Sequence, residues 1–270
     1  MAATNKSKEC ALIITTYNRV DALELVLKSV LKQSIMPDQV VIADDGSGDD
    51  TRHLIDRYKK EFSVPLIHCW HEDDGFRAAQ IRNRAIAASQ GEYIIIIDGD
   101  IVLHKHFIKD HIAKARKGCF IQGSRVLILE EATATALRKM ELEVSFFSKG
   151  ISNRKNAIHS SILSGLLTTC SDNKIKGSKS CNMSFWREDI LKVNGFNEDF
   201  VGWGREDSEL VVRLYKLGLT RIKLSFLALC YHLEHPVNIR DESLSKNNVL
   251  LQNTILEDRI ACKKGIDQYL

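Results

Sequence analysis

Two carboxylates one residue apart, Asp98 and Asp100, follow directly on the apolar run Tyr93-Ile94-Ile95-Ile96-Ile97. Four consecutive isoleucines indicate a strand buried on both faces. Like-charged acids at the mouth of such a core repel each other and lose hydration unless something compensates them. A divalent cation would do so, because carboxylate oxygens suit Mn²⁺ or Mg²⁺ and the small Gly99 lets the backbone turn both side chains toward one point. A solvated turn is the competing reading of so short a motif. His232 or His235 could complete the coordination, imidazole being compatible with Mn²⁺; a lone histidine is otherwise structural.

A second constellation is the segment Gly195-Phe-Asn-Glu-Asp-Phe-Val-Gly-Trp-Gly-Arg-Glu-Asp-Ser-Glu-Leu210. Glycines on either side of Trp203 allow close approach of the backbone to a ligand, and an exposed tryptophan face is a platform for a sugar ring. Glu206 and Asp207 fall at the start of a helix, where the dipole favours the ionised form and hence a general base. The alternative is a glycine turn with ordinary acidic first-turn residues and Trp203 in the core.

The elements that must position these residues are legible from periodicity. Ala11–Thr16 and Gln39–Ala43 are apolar runs; Val20–Lys32 places Val20, Leu23, Leu27, Val30 and Leu31 at helical spacing. Asp50–Tyr58 and Phe76–Ser89 read as helices, Val64–Cys69 and Tyr93–Asp98 as strands. Such alternation predicts an α/β fold with a mixed, mostly parallel sheet flanked by helices, right-handed crossovers, and a ligand outside the carboxyl ends of the strands. The polar residues gather there: Thr15 to Asn18 after strand one, Asp44-Asp45 after strand two, His71 to Asp74 after strand three, Asp98 and Asp100 after strand four.

Beyond residue 118 the pattern weakens to a short strand, a helix expected over Glu130–Phe147, and a polar stretch from Lys149 to Lys179 that reads as a mobile loop over the site. Ser180–Trp186 reads as a strand, Arg187–Val193 and Arg205–Leu217 as helices, and residues 219–232 as one or two strands. Leu244, Val249, Leu250, Ile255, Leu256 and Ile260 suggest a C-terminal helix that packs on the domain or on a partner.

Composition removes other classes. The chain has 270 residues, 44% hydrophobic, and a net charge of +3 with lysine and arginine scattered, so no nucleic-acid footprint is expected. Seven cysteines without a Cys-x-x-Cys pair argue against a disulfide scaffold or a zinc ribbon and for buried free thiols. The N-terminus lacks an apolar signal-like region, and a cytoplasmic location is the default expectation. Neither Gly-x-Gly-x-x-Gly nor a P-loop is present, so a phosphate would be met by a metal and by basic residues such as Arg77, Arg82 or Arg84, each otherwise a solvated helix residue. The basic part from Lys246 to Lys264 is compatible with a peripheral contact at the inner face of a membrane, or with a solvated helix face.

Taken together, Ile13 to Arg19, Val41 to Ser47, Arg82 to Ala85, Gly91-Glu92-Tyr93 and Ile97 to Asp100 resemble an inverting family-2 glycosyltransferase of the GT-A (Rossmann-like) fold, with a C-terminal helical extension added. Gly202 to Asp207 and Tyr231-His232 resemble the acceptor motif and metal histidine of chondroitin-polymerase-like and β-1,4-galactosyltransferase-like enzymes. Arg205 departs from the small residue often found before the Glu-Asp pair. The resemblance implies that Thr15 and Asp45 meet the nucleotide base of a UDP-sugar with Tyr17 and Asp44 close by, and that Arg82 and Asp98 belong to the same donor site. It further implies that Asp100, Asp98 and His232 bind Mn²⁺ or Mg²⁺, that Trp203 and Glu206 shape the acceptor pocket, and that Asp207 is the catalytic base.

On this reading residues 1–110 form a nucleotide-sugar half, 111–240 an acceptor-binding and catalytic half, and 241–270 a helical extension. The acceptor would be an oligosaccharide or lipid-linked glycan in bacterial surface polysaccharide or lipopolysaccharide assembly. A metal-dependent nucleotide-sugar hydrolase or nucleotidyltransferase would also use Asp98 and Asp100, though it would not need the 202–207 motif. A non-catalytic carbohydrate-binding protein is the third reading.

Overall fold

The computed structural model describes residues 9–235 and 241–270. The first part runs β1 (Cys10–Thr16), α1 (Val20–Leu31), β2 (Gln39–Asp44), α2 (Asp49–Tyr58), β3 (Leu66–Trp70), α3 (Ala78–Ala88), β4 (Tyr93–Asp98) and β5 (Ile101–Leu103). Then follow α4 (Phe107–Lys114), β6 (Cys119–Gln122), β7 (Val126–Ile128), α5 (Glu130–Lys139), β8 (Ile151–Ser152), α6 (Ser161–Leu167) and β9 (Thr169–Ser171). The chain closes with β10 (Asn182–Trp186), α7 (Arg187–Lys192), α8 (Glu206–Lys216), β11 (Thr220–Lys223), β12 (Cys230–Leu233) and α9 (Asp241–Leu256).

Eight strands form one sheet in the order β3-β2-β1-β4-β10-β6-β11-β9. The β3-β2-β1-β4 half is parallel, and β10 joins β4 antiparallel with Asn182 opposite Ile97. Apolar layers cover both faces: Leu23, Val26, Leu27 and Val30 of α1 meet one side, and Ala79, Ile81, Ala85 and Ile86 of α3 meet the other. This explains why Ile94 to Ile97 are all fully buried: alternate isoleucines serve opposite layers. Five of the seven cysteines are buried free thiols, as composition suggested; Cys69 is half-buried and Cys170 exposed.

A second sheet, β5-β12-β7-β8, meets the expected elements only where β12 overlaps the strands read over residues 219–232. Its strands are two to four residues long, too short to display alternation. Two other expectations are corrected. The helix starting at Glu130 ends at Lys139, where Met140 adopts a left-handed conformation (φ 50°) and its N–H caps the Ala136 and Leu137 carbonyls. From there the sequence alternates, with Glu141 and Glu143 exposed while Leu142 and Val144 pack on the core, a pattern a helix would not accommodate. The polar stretch from Lys149 to Lys179 is not a plain loop, because β8, α6 and β9 lie within it and β9 forms the edge of the large sheet.

α9 packs on α8 through Leu251, which meets Phe200 and Val212. Beneath it Arg213 and Glu209, each with a side chain 1% exposed, form a two-point ion pair of 2.9 and 2.6 Å. Arg213 also donates to the carbonyls of Val193 and, at 2.8 Å, Gly195, so one guanidinium fixes α8 to the loop that leads into it. Arg213→Met is expected to leave the Glu209 charge buried without its cation and to lower stability by about 3–5 kcal/mol. Urea denaturation checks this, and a midpoint equal to that of the native chain would contradict it.

Candidate active site

The turns after β1 and β2 interlock. Asp44 is fully buried and its carboxylate is engaged inside the protein, accepting from the Ser47 N–H at 2.9 Å and facing His68 Nε2 at 2.8 Å. Asp45 faces His71 Nε2 at 2.7 Å and accepts from the Arg77 N–H at 2.9 Å. Gly46, at φ +96°, permits the turn, and a Cβ there would lie 2.6 Å from Asp73 Cα. Tyr17, 45% exposed, donates to Asp73 at 2.8 Å, so its ring flanks an open surface. His71 and Asp73 belong to the polar edge read after strand three but were not named as site residues, and His68, in the middle of β3, carried no such signal.

Arg82 is the hub. Its guanidinium is buried on α3 and donates to Thr15 Oγ1 (3.2 Å) on β1, Asp98 Oδ1 (3.2 Å) at the end of β4, and Glu206 Oε1 (3.1 Å) at the start of α8. Burial opposes its charge, but Asp98 and Glu206 outweigh that and hold the guanidinium more firmly protonated than usual. The expected donor-side and acceptor-side acids are thus joined by one cation, and Arg82 is not a solvated helix residue.

The turn from β4 into β5 fixes Asp100. Gly99 donates its N–H to the Thr15 carbonyl at 2.6 Å, and a Cβ there would lie 2.9 Å from Thr16 Oγ1, so the residue between the acids must be small. Antiparallel pairing of β12 with β5 sets His232 opposite Ile101, and the Leu233 N–H donates to the Asp100 carbonyl at 3.0 Å. Asp100 Oδ2 consequently lies 3.5 Å from His232 Nε2 and 3.2 Å from His235 Nε2. The ligand atoms of these three residues all lie within 4.8 Å of one another.

This donor set fits a divalent cation. Asp100 Oδ1 is buried without a hydrogen-bond partner among the described residues, and a metal would satisfy it. Burial works against ionisation of Asp100, but the hydrogen bond and charge of His232 and the charge of His235 prevail and hold its carboxyl below the usual range. Two imidazoles with one carboxylate suit Mn²⁺ better than Mg²⁺, which prefers oxygen. Of the expected ligands, Asp100 and His232 converge. Asp98 is not in the converging group, because its Oδ1 faces Arg82, and His235 takes a place that periodicity gave no reason to prefer. Burial and the neighbouring Asp100 push the Asp98 carboxyl up despite the opposing pull of Arg82.

The acceptor-motif loop is held by unusual backbone. Gly202 (φ 79°), Gly204 (φ 99°) and Arg205 (φ 79°) are all left-handed, and Arg205 does so with a side chain, a conformation that costs about 1–3 kcal/mol. Its Nε donates to Asn248 of α9 at 2.7 Å, and Asn247 donates to the Gly204 carbonyl at 2.9 Å, so α9 secures the loop from behind. Gly202 donates to the Phe76 carbonyl at 2.9 Å. Trp203 and Phe76 are each 42% exposed, so Trp203 is not a core residue. At the helix start the dipole favours an ionised Asp207, while burial first, and then the charge of Glu206, raise its carboxyl to about 7.

The comparisons with known proteins agree with this fold. The Glycosyl transferase family 2 model matches residues 11–175, more than half of the chain, and the chain belongs to that family. The model for the N-terminal domain of galactosyltransferase matches residues 169–236, the part that carries Trp203, Asp207 and His232. Chondroitin synthase of Pasteurella multocida (strain Pm70) is 23% identical over 248 residues, covering 86% of this chain and 25% of the relative. The chain spans between 25% and 50% of the first three curated relatives it matches. Among solved structures, S. aureus TarS 1-349 in complex with UDP-GlcNAc aligns at TM-score 0.64 and 16% identity, over 97% of this chain and 69% of that one. The mannosyltransferase PcManGT from Pyrobaculum calidifontis, in complex with GDP-Man and Mn²⁺, aligns at TM-score 0.56 and 16% identity over 87% of this chain and 59% of that one. At these identities the structural likeness establishes the GT-A fold.

Proposed function

We propose that the chain transfers a hexose or N-acetylhexosamine from a UDP-sugar to a hydroxyl of a glycan acceptor with inversion, giving a β-linkage, in the assembly of bacterial surface polysaccharide or lipopolysaccharide. The observation that carries this reading is the Arg82 hub, whose guanidinium joins Thr15 and Asp98 to Glu206, the neighbour of Asp207. The UDP-GlcNAc complex of TarS and the chondroitin synthase relatives support the donor class.

Roles follow from position. Thr15, Tyr17 and Asp45 would line the nucleotide pocket, with buried Asp44 holding its floor through Ser47 and His68. Trp203 and Phe76 would offer apolar faces to the acceptor sugar, and Glu206 would orient it. Asp207, with a carboxyl near 7, is matched to accepting the proton of the attacking hydroxyl near neutral pH. Asp100, His232 and His235 would hold Mn²⁺. When bound, a divalent cation supplies neutralisation of the charge developing on a departing diphosphate. A single displacement with the base opposite the leaving group inverts the anomeric carbon. Residues 1–110 would then serve the donor, 111–240 the acceptor and base, and 241–270 the support of the acceptor loop.

Incubating the purified chain with Mn²⁺, a UDP-sugar and candidate glycans tests the reading. Acceptor-dependent release of UDP supports transfer, whereas equal release without acceptor would point instead to hydrolysis of the donor.

A further inference from the structure

The arginines expected to meet a phosphate are engaged elsewhere. Arg77 donates to the Asp74 carbonyl at 3.0 Å and to the Asp74 carboxylate, Arg82 is committed to Thr15, Asp98 and Glu206, and Arg84 lies over the Tyr269 ring, 5.3 Å from its centroid. Arg19, just before α1, pairs with Asp21 at 3.4 Å.

A different cation stands at this end of the sheet without an anion. Cys181 precedes the first pair of β10, Asn182 opposite Ile97, and Asp98 follows Ile97, so the two lie together where β4 ends. Arg125, half-buried between β6 and β7, donates through Nη1 to Cys181 Sγ at 3.1 Å. Its Nε is buried without a hydrogen-bond partner, and no carboxylate among the described residues lies within ion-pair distance of the guanidinium. Nη2 makes no hydrogen bond among those residues either and, unlike Nε, is not sealed from solvent. The thiol does not neutralise the cation: burial first, and then the charge of Asp98, push it up to about 12 despite the pull of Arg125, so near neutral pH it keeps its proton. A half-buried guanidinium resting on a neutral thiol is costly unless a ligand brings the anion.

The backbone beneath this side chain is fixed. The Arg125 carbonyl accepts from Asn156 Nδ2 at 2.9 Å and the Ser124 carbonyl from Asn182 Nδ2 at 3.0 Å, while Val126 pairs with Tyr231, the neighbour of His232. Arg125 is thus held between the end of β4 and the strand that carries His232.

We propose that Arg125 binds the diphosphate of the nucleotide-sugar donor, an inference that rests on the donor site proposed above. A guanidinium fork matches phosphate oxygens, and this one is set at the strand end that carries Asp98, where the donor's diphosphate is expected. Its fixed charge would also stabilise the departing UDP. The carboxylate of a hexuronic acid donor offers the same chemistry, but the diphosphate is common to every UDP-sugar.

The test is calorimetry of the whole chain with UDP, UDP-glucose and UDP-glucuronate in the presence of Mn²⁺. Arg125→Gln should weaken binding of each by about 10–100-fold, the range for loss of a charged hydrogen bond, and Arg125→Lys, which keeps the charge without the fork, by less. Mn²⁺ affinity without nucleotide, read by electron paramagnetic resonance, and circular dichroism should match the native chain, which separates a lost ligand contact from a deformed site. Equal affinity of Arg125→Gln and the native chain for UDP would overturn the proposal. So would a loss confined to UDP-glucuronate, which would assign the cation to a sugar carboxylate, or a loss of Mn²⁺ binding in step with UDP, which would make Arg125 structural. Failure of the native chain itself to bind UDP would overturn the donor site, and this inference with it.

Discussion

Asp207→Asn is expected to lower kcat for transfer by about 10²–10⁴-fold, the range for loss of a positioned general base, while leaving UDP affinity measured by calorimetry essentially unchanged. The amide keeps the shape of the carboxyl and still offers an oxygen to the Ser208 hydroxyl, which donates to Asp207 Oδ1 at 3.3 Å, so the start of α8 should hold its geometry. The pH profile carries the same assignment. Burial and then the Glu206 charge raise the Asp207 carboxyl to about 7; below that pH it is protonated and cannot accept the acceptor's proton. Transfer by the native chain should therefore fall as pH drops through about 7, and the residual rate of Asp207→Asn should lack that limb. Near-normal turnover by the variant would end the assignment of Asp207 as the base.

Asp100→Ala is expected to weaken Mn²⁺ binding by more than about 100-fold, because even an outer partner of a metal ligand is worth about 10–100-fold, and to depress transfer in parallel. The residue supplies the sole carboxylate of the converging group, and its Oδ1 is buried without another partner among the described residues. Electron paramagnetic resonance of bound Mn²⁺ measures the affinity apart from activity. Chelation should silence the native chain, and Mn²⁺ should restore it at lower concentration than Mg²⁺, as two imidazoles favour. Unchanged Mn²⁺ affinity in Asp100→Ala would place the ion elsewhere.

The two predictions differ in how visible their residues were in the sequence. Asp98, Asp100, Asp44 and Asp45 were legible because each follows a long apolar strand, and in a parallel sheet such strand ends share one edge. Ile94 to Ile97 announced β4, and β4 delivered the acids. The role of Arg82 was harder to read, since an arginine on a helix is ordinary and its three partners are separated from it by 16 to 124 residues along the chain.

His235 stood beside His232 as a candidate ligand, but nothing in the sequence set it against Asp100 in particular. The pairing of β5 with β12 that brings it close involves three residue pairs, and such short strands carry no readable period. Likewise, the helix-start argument for Asp207 rested on the dipole alone, whereas burial and then the charge of Glu206 raise its carboxyl. The alternation from Glu141 to Val144 was present in the sequence and was masked by the helical pattern just before it.

The inverting transfer itself is tested most directly by the configuration of its product. The native chain, Mn²⁺, an α-linked UDP-sugar and a glycan acceptor should yield, by nuclear magnetic resonance of the new anomeric proton, a β-glycoside formed in step with UDP. An α-glycoside, or UDP released without a glycoside, would contradict single displacement with Asp207 as base.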